Sequence, residues 1–412
     1  MRARPGREFF TTRTVAEALA LLPTRSPTPG ELVGLDRALG RVPVAAVTSP
    51  HALPGFARST VDGFAVRAAD TYGASEALPA YLDVVGAVAM GRPADVVIGP
   101  GAAVAMPTGG VLPEGADAVV MVEHTQETMP GSVEVVRPAA PGDGTVRADE
   151  DVRAGGVLVP AGRPLRPQDL GLLAAAGVVR VEVHRRPLVG ILSTGDEVVP
   201  PDRADLAPGQ VRDATASALA GLVTGAGGET VPFGVVPDDA ELLERVLREA
   251  LDRCDVVVVS AGSSVGARDV TADVVSALGP PGVVCHGLAI RPGKPTLLAQ
   301  CGEVPVLGLP GNPLSALVVF RLVGLPVVRR AGGCTSPPPE PTVTARLARP
   351  VPSQAGRLDV VQVRLDGDGV ANPVFGASAL LSVLTTADGW LVVPEDATGL
   401  DAGAQVTVTL YG

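Results

Sequence analysis

The sequence predicts a multidomain α/β protein: a parallel α/β sandwich domain, a β-rich insertion, a discontinuous N-terminal domain and a small C-terminal β-barrel. Three observations carry this. Between residues 187 and 330 strand-like and helix-like segments alternate, which implies repeated βα units and a mostly parallel sheet covered on both faces. Residues 51–147 and 341–412 show short Val-rich runs between Gly and Pro turns, the pattern of β-structure. A chain of 412 residues is long enough for roughly two to four domains.

Taken in order, "TVAEALALL" reads as a helix, followed by a Pro-rich break and then a helical turn and strand in "ELVGLDRALGRVPVAAV". From 51 to 147, "YLDVVGAVAMG", "GAAVAMPTGG", "GADAVVMVE" and "SVEVVRP" read as strands. "RPQDLGLLAAAG" is a helix that stops at Gly177. Mixed structure flanks the β-rich block, so segments 1–50 and 148–183 are expected to form one discontinuous domain with 51–147 inserted in it. Within 184–330, "PLVGILSTG", "ETVPFGVVP", "CDVVVVS" and "VPVLGLPG" are strands. "DATASALAGLVTGAG", "DDAELLERVLREALDR", "DVTADVVSALG" and "NPLSALVVFRLVG" are helices; the second has apolar residues at 242, 243, 246, 247, 250 and 251, a helical stripe. "AGGCTSPPPEP" is a Pro-rich linker, so 331–412 is the expected C-terminal β domain.

Composition narrows the function. A formal net charge of −11 argues against general nucleic-acid affinity, and an anionic ligand would need a local basic pocket. Cys254, Cys285, Cys301 and Cys334 lie far apart without metal spacing and read as reduced cytosolic thiols. His51, His124, His184 and His286 are isolated, which argues against a zinc centre. "MRARPGREFF" lacks an apolar core, and "LSALVVFRLVGLPVV" is broken by Arg321 and Pro326. Neither a secretory signal nor a membrane span is expected, and a cytoplasmic location is. Of 33 lysines and arginines, Lys294 is the only lysine. The arginine bias and the 3% aromatic content look like the composition of a GC-rich genome, so chance rivals a chemical reason for this one residue.

Five loops directly follow predicted strands: "STGDE" (193–197), "PDD" (237–239), "SAGSSVGARD" (260–269), "RPGKP" (291–295) and "LPGNP" (309–313). Ligands of open α/β sheets bind beyond the carboxyl ends of the strands. If the strands are parallel, one edge gathers carboxylates, a Gly/Ser turn and two cations. That set suits a phosphorylated ligand with a divalent metal, since Gly/Ser-turn amides cradle phosphate and carboxylate sites favour Mg²⁺. Each piece has a plainer reading. Asp238 with Glu241 equally fits a helix cap, Asp269 also opens a helix, and Thr194 with Gly195 can simply make a turn.

"STVDGFAVRAAD" (59–70), "PTGGVLPEGADAVVMVE" (107–123), "ILSTGDEVV" (191–199), "SAGSSVGARD", "AIRPGKP" and "GLPGNPLSALVVF" (308–320) occur in this order. Together they resemble the MoeA/gephyrin-E-domain family, the molybdopterin molybdenumtransferases, over essentially the whole chain. The resemblance implies a cytosolic enzyme that inserts molybdate into adenylylated molybdopterin with Mg²⁺ and releases AMP. It implies a molybdopterin-binding α/β domain and a homodimer whose cleft lies between the α/β domain of one subunit and the insertion of the other. The adenylylating enzyme and molybdoenzyme apoproteins are further partners that it suggests; nucleic acid and membrane are not.

The resemblance also places functional residues. Asp62 in "VDGFA", Thr108 in "PTGG" and Asp151 in "DEDV" match substrate-binding positions. Glu197, Asp238 and Asp269 match the acidic positions of the α/β edge, with Asp238 and Asp269 as the metal ligands. Ser263 and Ser264 lie in the Gly/Ser turn. Lys294, Arg291 and Ser378 would hold molybdate, Lys294 as a catalytic residue together with Glu197, Asp238 and Asp269, and Pro292, Gly293 and Arg357 would be further substrate-binding positions. There are departures: Arg291 stands where a lysine is usual, Val61 for methionine, Ala261 for glycine, Gly287 for lysine with His286 beside it, and Gln362 for arginine. Two rivals remain at this point. One is the related adenylylating enzyme, which carries a Gly-Gly-Thr-Gly turn where this chain has "AGSSVG" and which lacks the extra domains. The other is a non-catalytic scaffold of the same fold.

Overall fold

The computed structural model describes residues 12–23, 25–260 and 265–411, without the side chains of 265–269. The chain opens with helix α1 (Val15–Leu21), capped by Thr14 and Glu17 in a reciprocal capping box. "ELVGL" is a strand, Gly30–Gly34, and the helical turn follows it at Leu35–Arg37, the reverse of the sequence expectation. Gly30–Gly34 pairs antiparallel with Arg180–His184, so two segments far apart in sequence are sewn together. Their shared core holds Val33, Ala38, Leu158, Leu165, Leu173 and Val183. Helix α2 (Pro167–Ala175) lies in that core and ends before Gly177, whose φ of 74° no side-chain-bearing residue adopts cheaply.

Between these segments the chain runs out and back along a narrow ribbon. Val47–Thr48 pairs with Val157–Val159, Leu53 bridges Val152, and Arg58–Ser59 pairs with Thr145–Val146. Beyond the ribbon lies a mixed six-stranded sheet, Gly63–Val66 to Ser132–Val135, with its own core of Phe64, Leu82, Val120 and Val133.

The α/β sheet has six strands: β1 (Leu188–Thr194), β2 (Glu229–Val236), β3 (Val256–Ser260), β4 (Pro281–His286), β5 (Leu297–Cys301) and β6 (Val304–Leu309). Their spatial order is β2-β1-β3-β6-β5-β4, and only β5 runs against the others. Strands β4 and β5 were not read from the sequence. β3 is buried along its whole length, and its valines alternate between two cores. Val256 and Val258 pack with α1, α3 (Ala214–Gly225) and α6 (Pro313–Val319); Val257 and Val259 pack with α4 (Ala240–Arg253) and α5 (Val265–Ala277). Each fully buried valine contributes about 1.5–3 kcal/mol, so this strand anchors both faces.

The closing helix is longer than expected. After α6 it passes through a π turn at Phe320–Gly324 and continues to Ala331. Pro326 offers no N–H to the ladder, and a π turn is one way a helix absorbs that loss. Gly324 is required there, because a Cβ would sit 2.1 Å from the Phe320 ring. In the C-terminal sheet, Leu358–Leu365 pairs with both Val370–Pro373 and Gly389–Val393, which closes five strands into a barrel. No helix among the described residues is long and apolar enough to cross a membrane.

Candidate active site

The sheet topology puts four of the five loops on one edge. Residues 195–197, 237–239 and 310–312 leave the carboxyl ends of β1, β2 and β6; β3 ends on that edge at Ser260, and 261–264 lie outside the described residues. The fourth, 291–295, runs from the end of β4 into β5, and β5 starts on that same edge because it is reversed. Within the edge the side chains form two groups. Four strand spacings, ~19 Å, separate β2, which leads to Asp238, from β5, which follows Lys294.

The first group is acidic. The Asp238 N–H donates to Asp196 Oδ1 at 3.2 Å. Partial burial, then the charges of Asp196 and Glu197, raise the Asp238 carboxyl above its ordinary value. The capping role belongs to Asp239 instead: it is the N-cap of α4 and accepts from Leu242 N at 2.8 Å. Asp238 is therefore not the cap. Asp196, inside the "STGDE" loop, was not singled out in the sequence, although it is the residue that bonds the Asp238 backbone. Ser263 and Ser264 lie outside the described residues, as does the side chain of Asp269. Among the described residues no three His, Cys, Asp or Glu side chains come close enough to hold a metal ion.

This geometry sets a stability expectation. A raised folded pKa means that the folded chain binds the proton more tightly than the unfolded chain, so ionised Asp238 costs stability at neutral pH. The cost fades as pH falls through the folded value and is gone below the unfolded carboxylate range. Asp238→Asn is expected to raise the melting temperature of metal-free protein at pH 7, with the gap closing in acid. Mg²⁺ should raise the wild-type value more than the variant's, as read by scanning calorimetry.

The second group lines a cleft of about 1040 Å³ between the α/β edge and the barrel. Arg291, Pro292, Gly293, Lys294, Arg357 and Ser378 all lie in its wall. The loop 288–296 is held by its own backbone: Lys294 O accepts from Leu288 N and Thr296 N, both at 2.9 Å. Lys294 itself is exposed and enters no ion pair among the described residues. Ile290–Arg291 leaves the α/β sheet and pairs with the barrel strand Leu358–Leu365. The Leu314 N–H donates to Ser378 O at 3.1 Å, which ties the barrel loop to α6.

Gly293 serves the packing. Its φ is 121°, and a Cβ would meet Val319 Cγ2 of α6 at 2.3 Å. The close approach that glycine permits is to the helix, where the sequence reading had placed a ligand. Asp359, unforeseen, accepts from Arg357 Nε at 2.8 Å and lies 3.9 Å from Arg291 Nη1. Asp62 and Thr108 stand elsewhere, on the inserted sheet, exposed and bonded to each other: Asp62 Oδ1 accepts from Thr108 N at 2.8 Å and Oγ1 at 3.1 Å. Asp151 is exposed on the ribbon, with its N–H on Leu53 O.

Comparison with known families covers nearly the whole chain. Residues 13–177 match the MoeA N-terminal region (domain I and II), 190–330 a probable molybdopterin binding domain, and 344–411 the MoeA C-terminal region (domain IV). A molybdopterin molybdenumtransferase 2 of Mycobacterium tuberculosis is 35% identical over 383 residues, 91% of this chain and 94% of that one. The chain belongs to the MoeA family. The Bacillus subtilis molybdopterin molybdenumtransferase is 32% identical over 397 residues, 92% of this chain and 89% of its own. A crystal structure of a MoeA protein from Pyrococcus horikoshii superposes with a TM-score of 0.84 at 32% identity, covering 97% of this chain and all of that one. As a MoeA-family member the chain is an enzyme with a role in molybdenum cofactor biosynthesis.

Proposed function

We propose that this chain inserts molybdate into adenylylated molybdopterin and releases AMP in a Mg²⁺-dependent reaction. The observation that carries the reading is the cleft. In a chain of net charge −11, Arg291, Lys294 and Arg357 converge on one concave wall beside the end of an α/β sheet. A tetrahedral dianion suits such a wall, with Ser378 as a polar neighbour. The acidic group lies several strands away, so a ligand that touches both must be long. A pterin joined through phosphates to an adenosine has that shape.

The acidic corner fits Mg²⁺ in kind. Its donors are carboxylate oxygens, Asp238 is repelled by its own neighbours, and the buried hydroxyls of Ser193 and Thr194 at the end of β1 have no hydrogen-bond partner among the described residues. Mg²⁺ usually takes one or two carboxylates and completes its shell with substrate phosphates and water. Asp238 and Asp269 would be the protein ligands, with Glu197 beside them. Bound there, the ion would neutralise phosphate charge during AMP release. The chain's own residues position the ends of the substrate and supply fixed charge. Incubation with adenylylated molybdopterin, molybdate and Mg²⁺ tests this directly. Stoichiometric AMP and active cofactor are expected, whereas AMP without cofactor, or neither product, rules the reading out.

Asp62 and Thr108 extend the proposal to a homodimer in which the inserted sheet of one subunit completes the cleft of the other. Asp62→Ala and Asp238→Ala are each expected to be inactive alone. Random mixing gives half the dimers as heterodimers, each with one intact site of two, so about a quarter of the sites should recover. Proven heterodimers without activity would place both residues in the same subunit's site.

A further inference from the structure

We infer that Asp359 is the positioning residue of the anion site, aiming Arg357 into the cleft. The inference rests on the reading that this cleft takes molybdate. The Asp359 side chain is 4% exposed and lies in the cleft wall. One carboxylate oxygen accepts from Arg357 Nε at 2.8 Å and the other from Arg357 Nη2 at 3.3 Å. That second oxygen also lies 3.9 Å from Arg291 Nη1. Two arginines from separate parts of the chain thus meet on one buried carboxylate. The register enforces the meeting: Arg291 is opposite Asp359 in the parallel pairing, and Leu358 N donates to Ala289 O at 2.8 Å.

Among the described residues the grip leaves donors free. A guanidinium has five N–H groups. Held along its Nε and Nη2 edge, Arg357 commits two of them to Asp359, and the other three point away from the carboxylate. Arg357 is itself a wall residue, so those donors remain for a ligand. A planar fork fixed in this way loses less freedom when it takes up an oxyanion.

Charge alone predicts the opposite role, and that makes the inference testable. A carboxylate beside an anion site repels the anion, so if Asp359 only set the local charge, removing it would tighten binding. If it aims the Arg357 guanidinium, removing it weakens binding, and only while Arg357 is present.

The experiment measures molybdate affinity of the full chain by equilibrium dialysis at fixed ionic strength, for wild type, Asp359→Asn, Arg357→Ala and the double variant. We expect Asp359→Asn to weaken binding on the order of tenfold, and the double variant to bind no more weakly than Arg357→Ala. Unchanged or tighter binding by Asp359→Asn, or losses that simply multiply in the double variant, would overturn the inference. Absence of molybdate binding by wild type would instead remove the reading beneath it. If Asp359→Asn does not fold, Asp359→Glu keeps the charge and moves it by one methylene. Weaker binding with an unchanged circular-dichroism spectrum then supports positioning, and wild-type affinity refutes it.

Discussion

Lys294→Arg is expected to keep the fold and the net charge and to lose most molybdate insertion. The residue sits in a loop whose backbone is fastened on both sides, by Leu288 N and Thr296 N to its own carbonyl. Pro292 and Pro295 flank it, so the side chain cannot be re-aimed by moving the loop. A lysine ammonium is a compact point charge, whereas an arginine guanidinium is a broad planar fork. The cleft already contains two such forks, Arg291 and Arg357, tied to Asp359. A third would crowd the place where a tetrahedral anion meets them. Loss of a charge-assisted contact costs about 1.5–3 kcal/mol, so Lys294→Ala should weaken molybdate on the order of 10- to 150-fold. The arginine variant should be nearly as poor. Wild-type molybdate affinity and turnover in Lys294→Arg would make the chain's only lysine an accident of composition.

The second large effect is on stability, one residue away. Gly293→Ala should lower the unfolding free energy by about 2–4 kcal/mol, from overpacking against a core helix and a backbone conformation that alanine resists. The new methyl would press on Val319, which is fully buried in the α/β core and cannot swing into solvent. Val319→Ala in the same chain should recover the overpacking part and leave the backbone part. Chemical denaturation followed by circular dichroism reads both. Full stability in Gly293→Ala would mean that neither the positive φ nor the helix contact governs this loop.

The elements that were legible in the sequence are those with one dominant signal. The amphipathic stripe of 240–253, the unbroken valines of 256–259 and the helix stop at Gly177 each announce a helix or strand locally. β4 and β5 carry no such mark, because "PGVVCH" and "LLAQC" are short and framed by Pro and Gly that read as turns. The π turn at 320–324 was hidden too, since Pro326 argues locally for a stop while the buried apolar face keeps the helix going. Asp239 beat Asp238 as the cap by one residue, a margin that composition does not resolve. Asp359 could have been found. It stands two residues after Arg357 at the start of a strand, where such neighbours share a face. Its meeting with Arg291 depends on a long-range register that no local pattern encodes.

The ribbon that carries the inserted sheet has a consequence for how the chain folds. Its outgoing and returning strands run side by side at residues 47–48 and 157–159, again at 53 and 152, and again at 58–59 and 145–146. To the strands Gly30–Gly34 and Arg180–His184, which must find each other across all of this, the intervening stretch is a closed hairpin rather than an open loop. The entropy of bringing distant ends together grows only as ~(3/2)RT ln n for a flexible chain, and zippering the ribbon removes most of that length before the outer strands meet. An insertion mounted on such a stem can change in size or surface from one protein to another at little expense to the core that bears it. What it cannot lightly change is the stem.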